Sequence, residues 1–196
     1  MNEELKSVIK AESEQLSHVA ETVDYEILNQ LIQLMQKNQK IFLTGCGTSA
    51  MAAKKITHTL QVVDRPAFYL NPSDAVHGGI GAVSEGDLVI VISKGGTTKE
   101  LLSFVENIKN KKAILCSVTE NESSPLAEAS DLVLKIKVEK EPDAYNMLAT
   151  ASTLAVISVF DSAAIYLEKH SGFSKDTFLI NHPSGDVGDR LSTGRA

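Results

Sequence analysis

The feature that most constrains this chain is a repeated alternation: short runs of β-branched and apolar residues, each closing on small or polar residues, separated by segments with helical spacing. Five runs have this form, at 41–44, 67–70, 88–93, 113–118 and 132–138. Segments 49–63 and 98–110 between them carry apolar residues at helical intervals. Strands that alternate with helices are joined by right-handed crossovers, which lay the strands parallel and cover both faces of the sheet with helices. The sequence therefore predicts an α/β fold around a mainly parallel sheet.

Two longer segments flank or complete this pattern. Leu5, Ile9, Leu16, Val19, Val23, Ile27, Leu31 and Leu34 recur at spacings of three, four or seven, one apolar stripe on a single long N-terminal helix over 1–38. Such a stripe either lies across its own sheet or packs partly on a second subunit. Residues 145–170 form a nearly unbroken small-and-apolar run without Gly or Pro, too long for a strand. They predict one largely buried helix, in which Asp161 is conspicuous.

At 196 residues the chain suits one domain, 1–196, with the helix over 1–38 ahead of a core and C-terminal segment over 39–196. With 43% apolar and 22% charged residues it has enough apolar material for a packed interior. A formal charge of −6 argues against a nucleic-acid partner, which demands a basic face. Cys46 and Cys116 have neither the number nor the spacing of a disulfide framework or zinc site, and the five histidines show no paired spacing. Reduced thiols, no metal and a cytoplasmic setting are expected. The N-terminal stretch is acidic and periodic rather than basic and then apolar, unlike a signal peptide, and no apolar run approaches the roughly 20 residues that cross a bilayer.

Ligands of open parallel sheets bind beyond the carboxyl ends of the strands, so the turns after the strands carry the functional reading. Two are rich in glycine and hydroxyls. In the first, 44–50, Gly47 permits close backbone approach, Thr48 and Ser49 add hydroxyls, and the following helix N-terminus points N–H groups at an anion. The second is Ser93-Lys94-Gly95-Gly96-Thr97-Thr98. Either loop alone also reads as plain helix capping by Ser49 or Thr97. The first falls short of the full GxGxxG dinucleotide fingerprint: Ala50 stands where a third glycine or alanine might, and no acidic residue ends the next strand. It also lacks the GK[ST] of a nucleotide P-loop. Hydroxyl-rich loops with no neighbouring magnesium ligand suit a phosphate monoester.

Taken together, GCGTS, NPSDAVHGGIGAV, ISKGGTTKEL, EPDAYNMLATAST and NHPSGDVGDRL resemble, in order, five segments of the sugar isomerase (SIS) domain of the arabinose 5-phosphate isomerase family. The likeness runs from about Lys40 to Leu191, without the CBS domain pair that follows in longer members. It implies a flavodoxin-like three-layer sandwich on a five-stranded sheet, a homo-oligomer (tetramer or dimer), a sugar phosphate substrate, and aldose–ketose isomerisation with no cofactor. His77, His182 and Glu141 match family active-site positions. Ser49, Ser93 and Thr98 match positions near the phosphate. Thr48 stands where the family has Lys, Gly95 where it has a second Ser, and Thr97 where it has Glu; Lys94 is placed to restore the lost positive charge.

Moving a carbonyl between C1 and C2 requires a base that takes a proton from one carbon and returns it to the other, with donors for the developing oxyanion. The resemblance gives the shuttle to Glu141, and ring opening or carbonyl polarisation to His77 and His182. The plainer readings are a solvated Glu141 in the charge run VEKEPD and histidines that merely cap backbone. The alternative function is a non-catalytic phosphosugar sensor whose substitutions at Thr48, Gly95 and Thr97 record lost catalysis and retained binding.

Overall fold

Each expected apolar run becomes a strand. In the computed structural model, which describes residues 1–37, 40–185 and 188–189, β1 (Ile41–Gly45), β2 (Ala67–Tyr69), β3 (Leu88–Ile92), β4 (Ile114–Thr119) and β5 (Leu132–Lys135) pair in parallel in the order β2-β1-β3-β4-β5. Of the last motif, 181–191, residues 186–187 and 190–191 lie outside the described residues, as does the rest of the C-terminal segment to 196. β1 and β3 are buried at every position, which explains why they read as continuous apolar runs. Ile41, Leu43, Leu88 and Ile90 are fully enclosed, each contributing about 1.5–3 kcal/mol of burial.

Helices cover both faces. On one lie α1 (Asn2–Thr22), α2 (Tyr25–Lys37), α3 (Thr48–Val62) and α8 (Ala151–His170), packed on Leu43, Ile90 and Leu134. The other carries α4 (Pro72–Val76), α5 (Lys99–Leu102), α6 (Val105–Asn110) and α7 (Pro125–Ala129), which close over Phe42, Val89, Val91 and Leu115. A short α9 (Lys175–Asn181) touches α3. This is the expected three-layer α/β sandwich. Its strand order reverses between β1 and β3, the place where open α/β sheets part to admit a ligand.

The long N-terminal helix is two helices. Val23 is extended (φ −64°, ψ 138°), and Asp24 then caps α2, its Oδ1 accepting from the N–H groups of Glu26 (2.8 Å) and Ile27 (3.1 Å). The break redirects the stripe. Val19, Leu28, Leu31 and Met35 are buried, whereas Leu5 and Ile9 remain 61% and 68% exposed.

The last long helix starts at Ala151 rather than 145, because the Asp143 carboxylate gathers the N–H groups of Tyr145, Met147 and Leu148 into a turn and Asn146 takes φ 55°. Segment 98–110 likewise divides, with Phe104 (φ −119°, ψ 6°) between α5 and α6. α8 is long and apolar enough to cross a membrane by length and mean hydropathy alone. Here its Ala151, Ala155, Ala163 and Leu167 are buried in the core, and its Asp161 pairs with Lys55 of α3.

Candidate functional site

The first glycine-rich turn joins β1 to α3. Gly45 is required by contact: a Cβ there would lie 2.8 Å from the Ser49 carbonyl carbon. Gly47 adopts φ 58° and caps α3 with no side-chain bond, so the N–H groups of a 15-residue helix open toward the cleft.

Tertiary bonds hold the second turn. The hydroxyls of Ser93, which is buried, and Thr98 share a hydrogen bond of 3.1 Å. The Lys94 carbonyl accepts from Thr119 Oγ1 (3.0 Å) and from the Glu120 N–H (2.9 Å), fixing the turn to the end of β4.

Lys94 then places its ammonium between two carboxylates. Its Nζ lies 2.9 Å from Glu141 Oε1 and 3.6 Å from Glu120 Oε1. Glu141 is 2% exposed, which removes the reading of a solvated loop carboxylate. Its Oε2 accepts from the N–H groups of Thr150 (3.1 Å) and Ser152 (3.3 Å) at the start of α8, and its own N–H donates to Asn146 Oδ1 (2.6 Å). Burial pushes the Glu141 carboxyl up, but hydrogen bonds from Ser152 and Lys94 and from the Thr150 and Ser152 backbone outweigh it and hold the group below the ordinary carboxylate range.

Glu120 is displaced the other way. Burial raises its carboxyl, the Glu141 charge adds to the rise, and Lys94, a backbone bond from Val138 and the charge of Lys137 only partly offset it. Its Oε1 is buried without a hydrogen bond.

These groups surround a cavity of about 60 Å³ with Thr48, Ser49, Lys94, Thr119, Glu120, Ser152 and Thr153 as its polar wall and Ile92, Val118 and Ile136 as its apolar floor. The chemistry assembled is a cluster of hydroxyls, a helix N-terminus, an ammonium and two carboxylates, suited to a small polyhydroxylated anion.

The fold thus gathers Thr48, Ser49 and Lys94 at the cavity with Glu141 behind Lys94, and sets Gly47, Ser93, Gly95, Gly96, Thr97 and Thr98 on the two turns that border it. Within one chain it does not bring in the two histidines. His77 is the exposed C-cap residue of α4, and His182 follows α9 with its ring edge-on to Phe178 and its Nδ1 buried without a hydrogen bond. Neither lines the cavity. Sequence reasoning missed Glu120 and Thr119, although the rule used for the first and third strands applies equally to the residues that end and follow the fourth.

Residues 33–166 match the model of the SIS domain. An arabinose 5-phosphate isomerase, KdsD, of Francisella tularensis is 31% identical over 185 residues, covering 93% of this chain and 57% of that protein. The chain thus spans little more than half the length of this curated relative. Among solved structures, a candidate sugar-phosphate isomerase from Listeria monocytogenes superposes with a TM-score of 0.90 at 40% identity, covering 93% of this chain and 96% of that one. A protein of Escherichia coli CFT073, solved in complex with a sugar phosphate, superposes with a TM-score of 0.86 at 29% identity over 91% and 95% of the two chains. With the five-stranded parallel sheet in the order described and the family match over most of its length, the chain belongs to the SIS-domain family.

Proposed function

We propose that this chain is an aldose–ketose isomerase acting on a sugar phosphate through an enediol, interconverting ribulose 5-phosphate and arabinose 5-phosphate or a related pentose or hexose phosphate pair. The observation that carries the proposal is Lys94, held between Glu141 and Glu120 at a hydroxyl-lined cavity beyond the carboxyl ends of β3 and β4. An ammonium beside carboxylates is what an enediolate needs: a positive group opposite the developing oxyanion and a base within reach of the carbon-bound proton. Ser49, Ser93 and Thr98, with the N-terminus of α3, supply neutral donors for the phosphate. The reaction is redox-neutral and needs no electron-carrying cofactor.

In this reading Glu141 is the carboxylate that the family resemblance assigns to proton transfer, and it also fixes Lys94 and the first turn of α8. His77 and His182 complete the site from a neighbouring subunit of a homo-oligomer, a tetramer or dimer, in a cytoplasmic enzyme whose residues 1–196 form one domain. Exposed Leu5, Val8 and Ile9 on α1 support such an assembly.

The test is solvent exchange in heavy water, followed by NMR at C1 and C2 across a panel of pentose and hexose phosphates. Deuterium entering one sugar at C1 or C2 is the expected result. The second reading, a sugar-phosphate sensor, is favoured by the saturation of the Glu141 carboxylate by Lys94, Thr150 and Ser152. Thermal stabilisation by a sugar phosphate with no exchange in any of them decides for it.

A further inference from the structure

We propose that Glu120, rather than Glu141, is the carboxylate that carries the proton between the two sugar carbons, and that Glu141 is the residue that positions Lys94. The inference rests on the isomerase reading above and deepens it. Both carboxylates face the same ammonium, but Glu120 keeps an oxygen that accepts no hydrogen bond, whereas both Glu141 oxygens are bonded. Glu141 spends Oε1 on Lys94 and Oε2 on two N–H groups of the α8 first turn. A base so occupied cannot approach a C–H bond without breaking those contacts. Glu120 lines the cavity directly, and its Oε1 meets Lys94 only through a 3.6 Å ion pair, with no hydrogen bond to break. Its backbone is fixed at the same time, because its N–H and the neighbouring Thr119 hydroxyl both donate to the Lys94 carbonyl.

Electrostatics sort the two groups in the same sense. Glu120 faces Lys94 from the β3–α5 turn, Glu141 from the segment before α8, and Lys137 and the Val138 backbone from the chain after β5. Burial dominates and lifts its carboxyl, while Glu141 is held down by its donors. Where two carboxylates in one site are pushed apart, the raised one is the better fitted of the two to take up a proton and return it.

The step balances within the site. Glu120 takes the proton from the carbon beside the carbonyl, the C–H pair becomes the C1–C2 π bond, and the carbonyl pair moves to oxygen opposite the Lys94 ammonium. Protonated Glu120 returns the proton to the other carbon. The hydroxyl proton lost from the second oxygen passes to the first as the second becomes the carbonyl. Nothing is oxidised or reduced overall.

The experiment measures deuterium exchange, turnover and binding for the wild type, Glu120→Gln, Glu120→Asp and Glu141→Gln, with arabinose 5-phosphate and ribulose 5-phosphate first among the probe sugars. Glu120→Gln is expected to lose exchange and turnover by about a hundredfold or more while the Kd for the sugar changes by less than about threefold. Its melting temperature is expected to match or exceed that of the wild type, since a buried oxygen with no hydrogen bond is exchanged for a neutral amide. Glu120→Asp keeps a measurable rate, with the acid limb of its kcat/KM profile displaced from that of the wild type, whereas Glu120→Gln loses that limb. Exchange by Glu120→Gln within about threefold of an active wild type overturns the role of Glu120 and leaves the isomerase reading standing. A wild type that exchanges no sugar phosphate overturns both.

Discussion

Two turns of the same composition do different work at the carboxyl edge of this sheet. Both leave a strand, both are rich in glycine and hydroxyls, and both open a helix. The first leads into the 15-residue α3, and Gly47 has nothing within 4 Å of where its Cβ would stand. The second leads into an α5 of four residues, too short for an appreciable dipole, and is fixed by the Ser93–Thr98 bond, by the donors on the Lys94 carbonyl and by Gly96 packed on Ser124. The first turn therefore contributes a field, the aligned N–H groups of a long helix. The second contributes geometry, side chains whose positions are set by β4 and α7. The glycines differ accordingly: Gly47 is needed for its dihedral angle, Gly96 also for its lack of volume.

Substituting Gly96 should have the largest effect. A Cβ at this position would fall 2.0 Å from Ser124 Oγ and 2.5 Å from Ser124 Cβ, at φ 66°. Overlap with a buried, capping serine and left-handed strain together should cost Gly96→Ala about 3 kcal/mol or more in a urea titration. A loss below about 1 kcal/mol would mean that α7 yields easily and that the second turn is not rigidly held.

Glu141 comes next, because it anchors the lysine of that turn. Its carboxyl is held below the ordinary range in the folded state, so its contribution is complete above an unfolded value of about 4.3 and is lost as the pH falls through the lower folded value. Glu141→Gln should cost about 1–3 kcal/mol at pH 7, since it weakens charge-assisted bonds to Lys94 and to the α8 N–H groups. In acid the gap to the wild type should close. A gap that stays constant across the titration would assign the loss to packing rather than to charge.

The fold was legible because burial on both faces leaves a direct trace: β1 and β3 are apolar at nearly every position, and the turns after them are marked by glycine. The break at Val23 left a weaker trace. The stripe keeps helical spacing through it, and only Asp24, a good capping residue placed within the stripe, signals the new start. The late start of α8 was hidden because Tyr145, Met147 and Leu148 read as core although all are exposed; their backbone is organised by Asp143, a local bond that apolar periodicity does not register.

In the site, Glu141 was found through the ordered motifs and then proved buried. Glu120 was passed over because an acidic residue after a strand carries no motif of its own. Its significance comes from Lys94, which lies 26 positions earlier and is brought beside it by the pairing of β3 with β4.

The smallest expected effect falls on the first turn and completes the contrast. Gly47→Ala adds a methyl group that meets nothing within 4 Å, so its cost is backbone strain alone at φ 58°, ψ −129°, about 1–2 kcal/mol. The same methyl stands at the N-cap of α3, ahead of the N–H groups that an anion would approach. Gly47→Ala should therefore weaken sugar phosphate binding, read by calorimetry, by more than its small loss of stability suggests, while Gly96→Ala should damage stability first. Unchanged binding in Gly47→Ala would mean that the ligand is held by the side chains of the second turn and draws little from the field of the first.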